Sequence, residues 1–343
     1  MTMCPRLFIL TAVILCLCAC ASSTKDSSKT GVDNTGTDQD TAQTGDVSGD
    51  DPAASDSDSE TVPDSGAEID TGSDSGTGTD SSPSEDTDDE VLPPACDLLV
   101  STAFLATASN IGAGLETLFE PSGIVWHERL NQLFLVSDSG ILTRMNLDGS
   151  DVTNWSLPGD LEAVTVTDPA SDFVYVGVEH VAAIKEVNIN TGLVTRTFTL
   201  PSGIYSETNQ GLEALTFVPD SSSVEGGYFW VGIQQTGMIH VYEVPLLSTT
   251  GDITITDSQQ IVAWAPLPGV TDISDLYYDG VHQKIFALYD SSNKLVSLTP
   301  DRILESQYDL PLSTHDQEGF AVDGECHLYI AEDPAGTHDV WRY

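Results

Sequence analysis

One pattern recurs five times between Glu120 and the C-terminus: a short apolar run, a polar turn, then a second run rich in β-branched and aromatic residues that ends in Ser, Asp, Glu or Gln. The copies read EPSGIVWHERLNQLFLVSDSG from Glu120, DLEAVTVTDPASDFVYVGVEH from Asp160, GLEALTFVPDSSSVEGGYFWVGIQQTG from Gly211, DISDLYYDGVHQKIFALYDSSN from Asp272 and DQEGFAVDGECHLYIAEDPAG from Asp316. Further strand-like stretches (LTRMNL, IKEVNI, IHVYEV, LVSLTP) follow the first four copies, which start about 40 to 60 residues apart. No copy has a helical period. A sheet unit of this size cannot bury both faces alone, so the repeats must stack on one another, and the pattern predicts an all-β chain folded as a single β-propeller.

Five copies imply five blades, with a degenerate sixth around Ile253 to Trp264 left open. The last copy is short of strands, since only DVWRY follows LYIAED. The strand-like LLVSTAFLAT, Leu98 to Thr107, stands alone before the first copy and is placed to supply the missing outer strand. Closing the ring in this way joins the chain ends and removes exposed sheet edges.

The residues before the repeats cannot take part in that core. MTMCPRLFILTAVILCLCAC has one cation, Arg6, ahead of an apolar stretch too short to span a bilayer, which is the form of an export signal over residues 1–19. LCAC, Leu17 to Cys20, resembles the lipobox of bacterial lipoproteins, and the resemblance implies that Cys20 becomes the lipidated first residue of the mature chain. Ala21 after the cysteine, rather than Asp, implies sorting to the outer membrane, on its periplasmic or cell-surface side. Residues 20–94 carry 20 acids against two lysines and hardly a large apolar residue, so they are expected to be a disordered tether. The folded domain is then expected over residues 95–343.

The formal net charge of −43 argues against nucleic acid and other polyanions as partners. With the signal removed and Cys20 acylated, Cys96 and Cys326 remain, an even pair in an oxidising compartment. They are read as a disulfide joining the ends of the domain, with two free thiols as the alternative.

In register, the first strands of the five copies place Ser122, Glu162, Glu213, Ser274 and Glu318 at one position and Glu120, Asp160, Gly211, Asp272 and Asp316 two residues earlier. Residues i and i+2 of a strand share a face, and the first strand of a propeller blade lines the central channel. The expectation is a ring of as many as seven carboxylates, with Glu162, Glu213 and Glu318 as candidate metal ligands. Like charges that close must be neutralised by protons or by a cation, and hard oxygen donors suit Ca²⁺. Hydrated acids capping backbone N–H groups are the alternative. A second set, Asp138, Glu179, Gln235, Asp290 and Glu332, closes the second strands and is expected to rim one mouth together with Asn209 and His315.

At these strands the chain resembles the SdiA-regulated (YjiK-like) propeller family. The matching residues are PSGIVW with LFLVSDSG, LEAVTV with VYVGVEH, GLEALTF, ISDLYY with IFALYDSS, and QEGFAV with LYIAED, in the order Ser, Glu, Glu, Ser, Glu. NQGLEALTF is also similar to an opening found in phytase-like esterase propellers. The chain departs from the family at Ala163, Ala214 and Asp275, where glycine is usual. The resemblance implies a periplasmic or surface propeller with an acidic, Ca²⁺-binding channel and no established reaction.

Two functions are therefore weighed. One is a monomeric, lipid-anchored propeller that binds a cation and a small-molecule or protein ligand on one face. The other is a calcium-dependent hydrolase of phosphate esters or lactones, in which the metal lowers the pKa of bound water. Against the second stand only 11 Lys and Arg in the chain and the absence of G-x-S-x-G and H-E-x-x-H motifs.

Overall fold

A computed structural model describes residues 108–206, 209–249, 251–310, 316–334 and 338–343. The export signal, Cys20, the tether, Cys96, Leu98 to Thr107 and His315 lie outside the described residues. After the short strand β1 (Ser109–Asn110), the strands follow in chain order as β2 (Pro121–His127), β3 (Gln132–Ser137), β4 (Ile141–Asn146) and β5 (Thr153–Ser156), which form blade I. Blade II is β6 (Leu161–Thr165), β7 (Phe173–Val178), β8 (Ala183–Asn188) and β9 (Leu193–Thr199). Next come β10 (Leu212–Pro219), β11 (Gly227–Ile233), β12 (Met238–Tyr242), β13 (Ile253–Thr254) and β14 (Gln260–Trp264). Blade IV is β15 (Ile273–Asp279), β16 (Lys284–Tyr289), β17 (Lys294–Leu298) and β18 (Leu304–Asp309), and the chain ends with β19 (Gln317–Val322), β20 (Leu328–Glu332) and β21 (Asp339–Arg342).

The result is a five-bladed propeller. The segment left open as a sixth blade is divided between two others. Strand β14 is the outer strand of blade III beside β12, and β13 runs parallel to β9 as a fifth strand on blade II. Arg196, paired with Glu186 on the neighbouring strand, holds the intervening loop by donating to the carbonyls of Leu246 and Ser248, each at 2.8 Å.

Blade V is closed by an N-terminal outer strand, as expected, and β1 is that strand. Ser109 faces Arg342 and Asn110 faces Trp341 across an antiparallel pair, and the Ile111 N–H continues the ladder to the Val340 carbonyl at 2.8 Å. Closure therefore falls just C-terminal to the segment that the sequence singles out.

Burial follows position in the blade. Innermost β6 is buried at every residue, because it meets the two neighbouring blades as well as its own second strand, whereas outermost β18 is mostly exposed. Continuous apolar runs inside and polar alternation outside are what those two environments select. Aromatic rings wedge the blades together: Tyr175 of blade II lies 5.3 Å from Phe229 of blade III, and Phe286 of blade IV 5.2 Å from Phe320 of blade V. Each such ring, fully buried, contributes about 1.5–3 kcal/mol relative to exposure.

Candidate functional site

The five ring positions share one backbone device. Pairing between first and second strand shifts register between Pro121 and Gly123, Leu161 and Ala163, Leu212 and Ala214, Ile273 and Asp275, and Gln317 and Gly319. The residue skipped in each blade is Ser122, Glu162, Glu213, Ser274 or Glu318, so each ring side chain sits on a β-bulge. A bulge leaves one residue out of the ladder and re-aims its side chain. The ring thus rests on five repeats of a bulge, and not on plain strand alternation.

Glycine or a small residue after the bulge lets the next blade approach. A Cβ on Gly123 would stand 2.8 Å from the Glu162 carbonyl oxygen. Asp275 occupies the same position in blade IV and turns it into a clasp. Its Oδ1 accepts from the Leu276 N–H and its Oδ2 from the Phe320 N–H of blade V, both at 2.7 Å. Complete burial pushes its carboxyl well above the usual range.

Carboxylates converge most closely at blade II. One oxygen each from Asp160, Glu162 and Glu179 lies within 4.8 Å of the others. Glu162 and Glu213 are each 9% exposed and close enough for each charge to act on the other. Burial first, then the charges of Glu213, Asp160 and Glu179, push Glu162 up to about 11. Glu213 is raised well above its ordinary value by burial and by the charges of Glu318 and Glu179. Among the described residues no Lys, Arg or His forms an ion pair with any of these four carboxylates.

Glu179 is also the reason that blade III has no acid two residues before its bulge. Its Oε1 accepts the Gly211 N–H at 2.9 Å, and a Cβ on Gly211 would stand 2.9 Å from both Glu179 Cγ and the Tyr205 ring. Tyr205, absent from the sequence-derived set, donates its hydroxyl to the Glu179 carbonyl at 2.7 Å.

The remaining acids gather on blades IV, V and I. Glu318 is pushed up to about 8 by burial and by Asp290, Asp272, Asp333 and Asp316. Glu120 is raised chiefly by the Asp138 charge. Ser122 donates to the Glu120 carbonyl and accepts from the Asp138 N–H, each at 3.2 Å, whereas the buried Ser274 hydroxyl has no partner among the described residues. Glu318 thus lies among the aspartates of blades IV and V and also acts on Glu213, which stands with Glu162 beside the blade II group.

The second set needs a register correction. Extending the ladders by one pair sets Glu120 against Asp138, Asp160 against Glu179, Gly211 against Gln234, Asp272 against Asp290 and Asp316 against Asp333. In four of these pairs the second residue donates its N–H to the first residue's carbonyl: Glu179, Gln234, Asp290 and Asp333. Gln235 and Glu332 are therefore each one residue out of step. Glu332 pairs within the sheet with Gln317 and accepts the Trp341 indole N–H at 3.0 Å, and Gln235 Oε1 accepts the Ser206 N–H at 2.9 Å. Asp333 is the missed member, and its Oδ1 is buried without a hydrogen-bond partner among the described residues. Asn209 is exposed and left-handed, with φ 63°, which marks it as a turn residue. Cys326 is disulfide-bonded, and its partner lies outside the described residues.

Five four-stranded antiparallel blades or their extension, closed across the chain ends around a ring of acids, define a β-propeller. The family model described as SdiA-regulated matches residues 111–336, and the chain belongs to that family. No curated protein matches it. Solved structures with a similar course include a glutaminyl cyclase from Myxococcus xanthus, at 13% identity and a TM-score of 0.46, covering 66% of this chain and 90% of that one. A virginiamycin B lyase from Staphylococcus aureus is similar at 14% identity and a TM-score of 0.39, covering 69% and 73%.

Proposed function

We propose that this propeller is a lipid-anchored cell-envelope protein whose acidic channel mouth binds Ca²⁺, and through it a small-molecule or protein ligand. The observation that carries the reading is the group Asp160, Glu162 and Glu179, with Glu213 against it: carboxylates in mutual reach, all but Asp160 buried, and without an ion pair to Lys, Arg or His among the described residues. A site of that charge is neutralised either by protons or by a metal. Ca²⁺ accepts carboxylates in flexible arrangements at about 2.3–2.6 Å, which suits ligands drawn from two strands and a following loop. The unpartnered Ser274 hydroxyl and Asp333 Oδ1 add neutral and anionic oxygens further round the same ring. Acylation at Cys20 and the acidic tether would hold this mouth clear of the outer membrane.

Binding is favoured over hydrolysis of a phosphate ester or lactone because the chain has only 11 Lys and Arg to hold a phosphate and carries neither a G-x-S-x-G nor an H-E-x-x-H motif. Calorimetric titration with Ca²⁺ tests the proposal. The wild type should give a saturable heat that is lost in Glu162→Gln/Glu213→Gln, and equally flat traces for both would remove it.

A further inference from the structure

The channel has a second mouth, at the far ends of the same first strands. Each strand reaches it about four residues beyond its bulge, roughly 13 Å at ~3.3 Å per residue. There the five blades surround a cavity of about 330 Å³, within the range of roughly 300–1,000 Å³ that small-molecule sites occupy. Its walls are aromatic: Trp126 from blade I, Phe217 from blade III, Tyr277 and Tyr278 from blade IV. Two of these rings are held in place. The Trp126 indole N–H donates to Asn131 Oδ1 at 3.2 Å, and Gly324 leaves room for the ring, since a Cβ there would stand 3.0 Å from it. The Tyr277 hydroxyl donates to the Val322 carbonyl at 2.6 Å.

Three carboxylates share the lining, Glu128, Asp279 and Asp323, and His282 is the one residue in it able to carry positive charge. His282 Nδ1 lies 2.6 Å from Asp279 Oδ2. The lining therefore holds three acids against at most one imidazolium, and its net charge is negative in either protonation state of that ring. Arg129, beside Glu128 in sequence, is outside the lining and donates to the Pro169 and Ser171 carbonyls and to Asp172. Behind Asp323, also outside the lining, stand His327 at 2.9 Å, Arg342 bonded to His327, and Glu325 at 3.9 Å from His327. The three carboxylates converge on the aromatic wall: burial first, then the charges of Asp279, Asp323 and Glu128, hold the Tyr277 hydroxyl above its ordinary range.

These acids serve a metal ion poorly. Asp279 Oδ1 accepts the Val281 and His282 N–H groups, and Asp323 accepts those of Glu325 and His327 on Oδ1 and the Tyr329 hydroxyl on Oδ2. Glu128 is exposed, and its carboxylate has no hydrogen bond or ion pair among the described residues. One open acid falls far short of the roughly six to eight oxygens that Ca²⁺ takes. A primary ammonium would bring three N–H donors to buried carboxylates whose oxygens are already taken, whereas a quaternary ammonium brings none. Such an ion is held instead by the faces of Trp and Tyr rings and by surrounding negative charge.

We propose that this cavity is a second binding site, for a small organic cation of the quaternary ammonium class, seated against Trp126 and Tyr278 with Glu128 at the entrance. The site is independent of the acidic mouth, since the two share no residue.

Calorimetric titration of the full chain with choline and with its uncharged isostere 3,3-dimethylbutan-1-ol tests the assignment, at about 0.15 M salt so that the field of the whole chain is screened beyond ~8 Å. The wild type is expected to bind choline saturably and the isostere at least about fivefold more weakly. Trp126→Leu and Tyr278→Leu should each weaken choline at least about fivefold, scored at the wild-type unfolding temperature. Glu128→Gln changes only an exposed side chain, so it should fold as the wild type does and weaken choline about two- to fivefold, with the isostere unaffected. Glu162→Gln/Glu213→Gln should bind choline as the wild type does. Absence of saturable choline binding, equal affinity for the isostere, an unchanged choline affinity in Glu128→Gln, or loss of binding in Glu162→Gln/Glu213→Gln would each overturn the proposal.

Discussion

The two mouths of one channel are lined by the same five strands and have opposite character. At the N-terminal ends the bulges turn Ser122, Glu162, Glu213, Ser274 and Glu318 inward. At the C-terminal ends the same strands deliver Trp126, Thr165, Phe217 and Tyr278, and of the three acids there, Glu128, Asp279 and Asp323, the last two are consumed in loop turns. A carboxylate is harmless when backbone N–H groups surround it, as with Asp279 and Asp323. It becomes a functional candidate when its neighbours are other carboxylates, as with Glu162. Residue type alone does not separate the two cases, but partners do.

The largest effect is expected between the mouths, at Asp275. Replacing it by alanine strands two buried N–H groups, each costing about 1–3 kcal/mol, so Asp275→Ala should lose about 2–6 kcal/mol of stability by urea unfolding. Asp275→Asn keeps an acceptor and sheds a carboxyl that burial disfavours, and should lose less than half as much. Equal losses would mean that Asp275 acts through charge, which would make it part of the acidic mouth.

Titration should separate the mouths next. The folded-state value of Glu318, about 8, lies above its ordinary 4.5, so the folded chain holds the extra proton between those limits. In chelator, stability is therefore highest near the acid end of that window and declines as pH rises toward 8, and Glu318→Gln should flatten the decline. With Ca²⁺ present the trend should reverse, since protons compete with the metal for carboxylates. Thermal melts across pH with and without chelator read this directly.

A smaller effect tests the register. Asp333→Asn, on the ring, should weaken Ca²⁺ binding by a few-fold, whereas Gln235→Ala should leave it unchanged. The opposite ranking would restore the set taken from strand ends alone.

Those contrasts show where sequence is sufficient. The order Ser, Glu, Glu, Ser, Glu is readable because every blade repeats the same bulge at the same offset, so aligning copies aligns side chains. Blade number is readable for the same reason, although β13 and β14 resemble a sixth blade until their pairing partners are known. Gln235 and Glu332 go astray because a strand's last residue, counted without its partner strand, is uncertain by one, and one residue reverses the face. Gly211 breaks the acidic pattern for a reason held by Glu179 and Tyr205, residues of other segments. The apolar mouth is invisible in sequence, since each blade contributes only a few ordinary core residues and the cavity exists only when all five are assembled.

The most direct measurement is a crystal of the propeller soaked in Mn²⁺ as an anomalous scatterer in place of Ca²⁺. A peak is expected among the carboxylates of Asp160, Glu162 and Glu179, with Glu213 beside them. A peak at the opposite mouth near Asp279 and Asp323, or none within the channel, would contradict it.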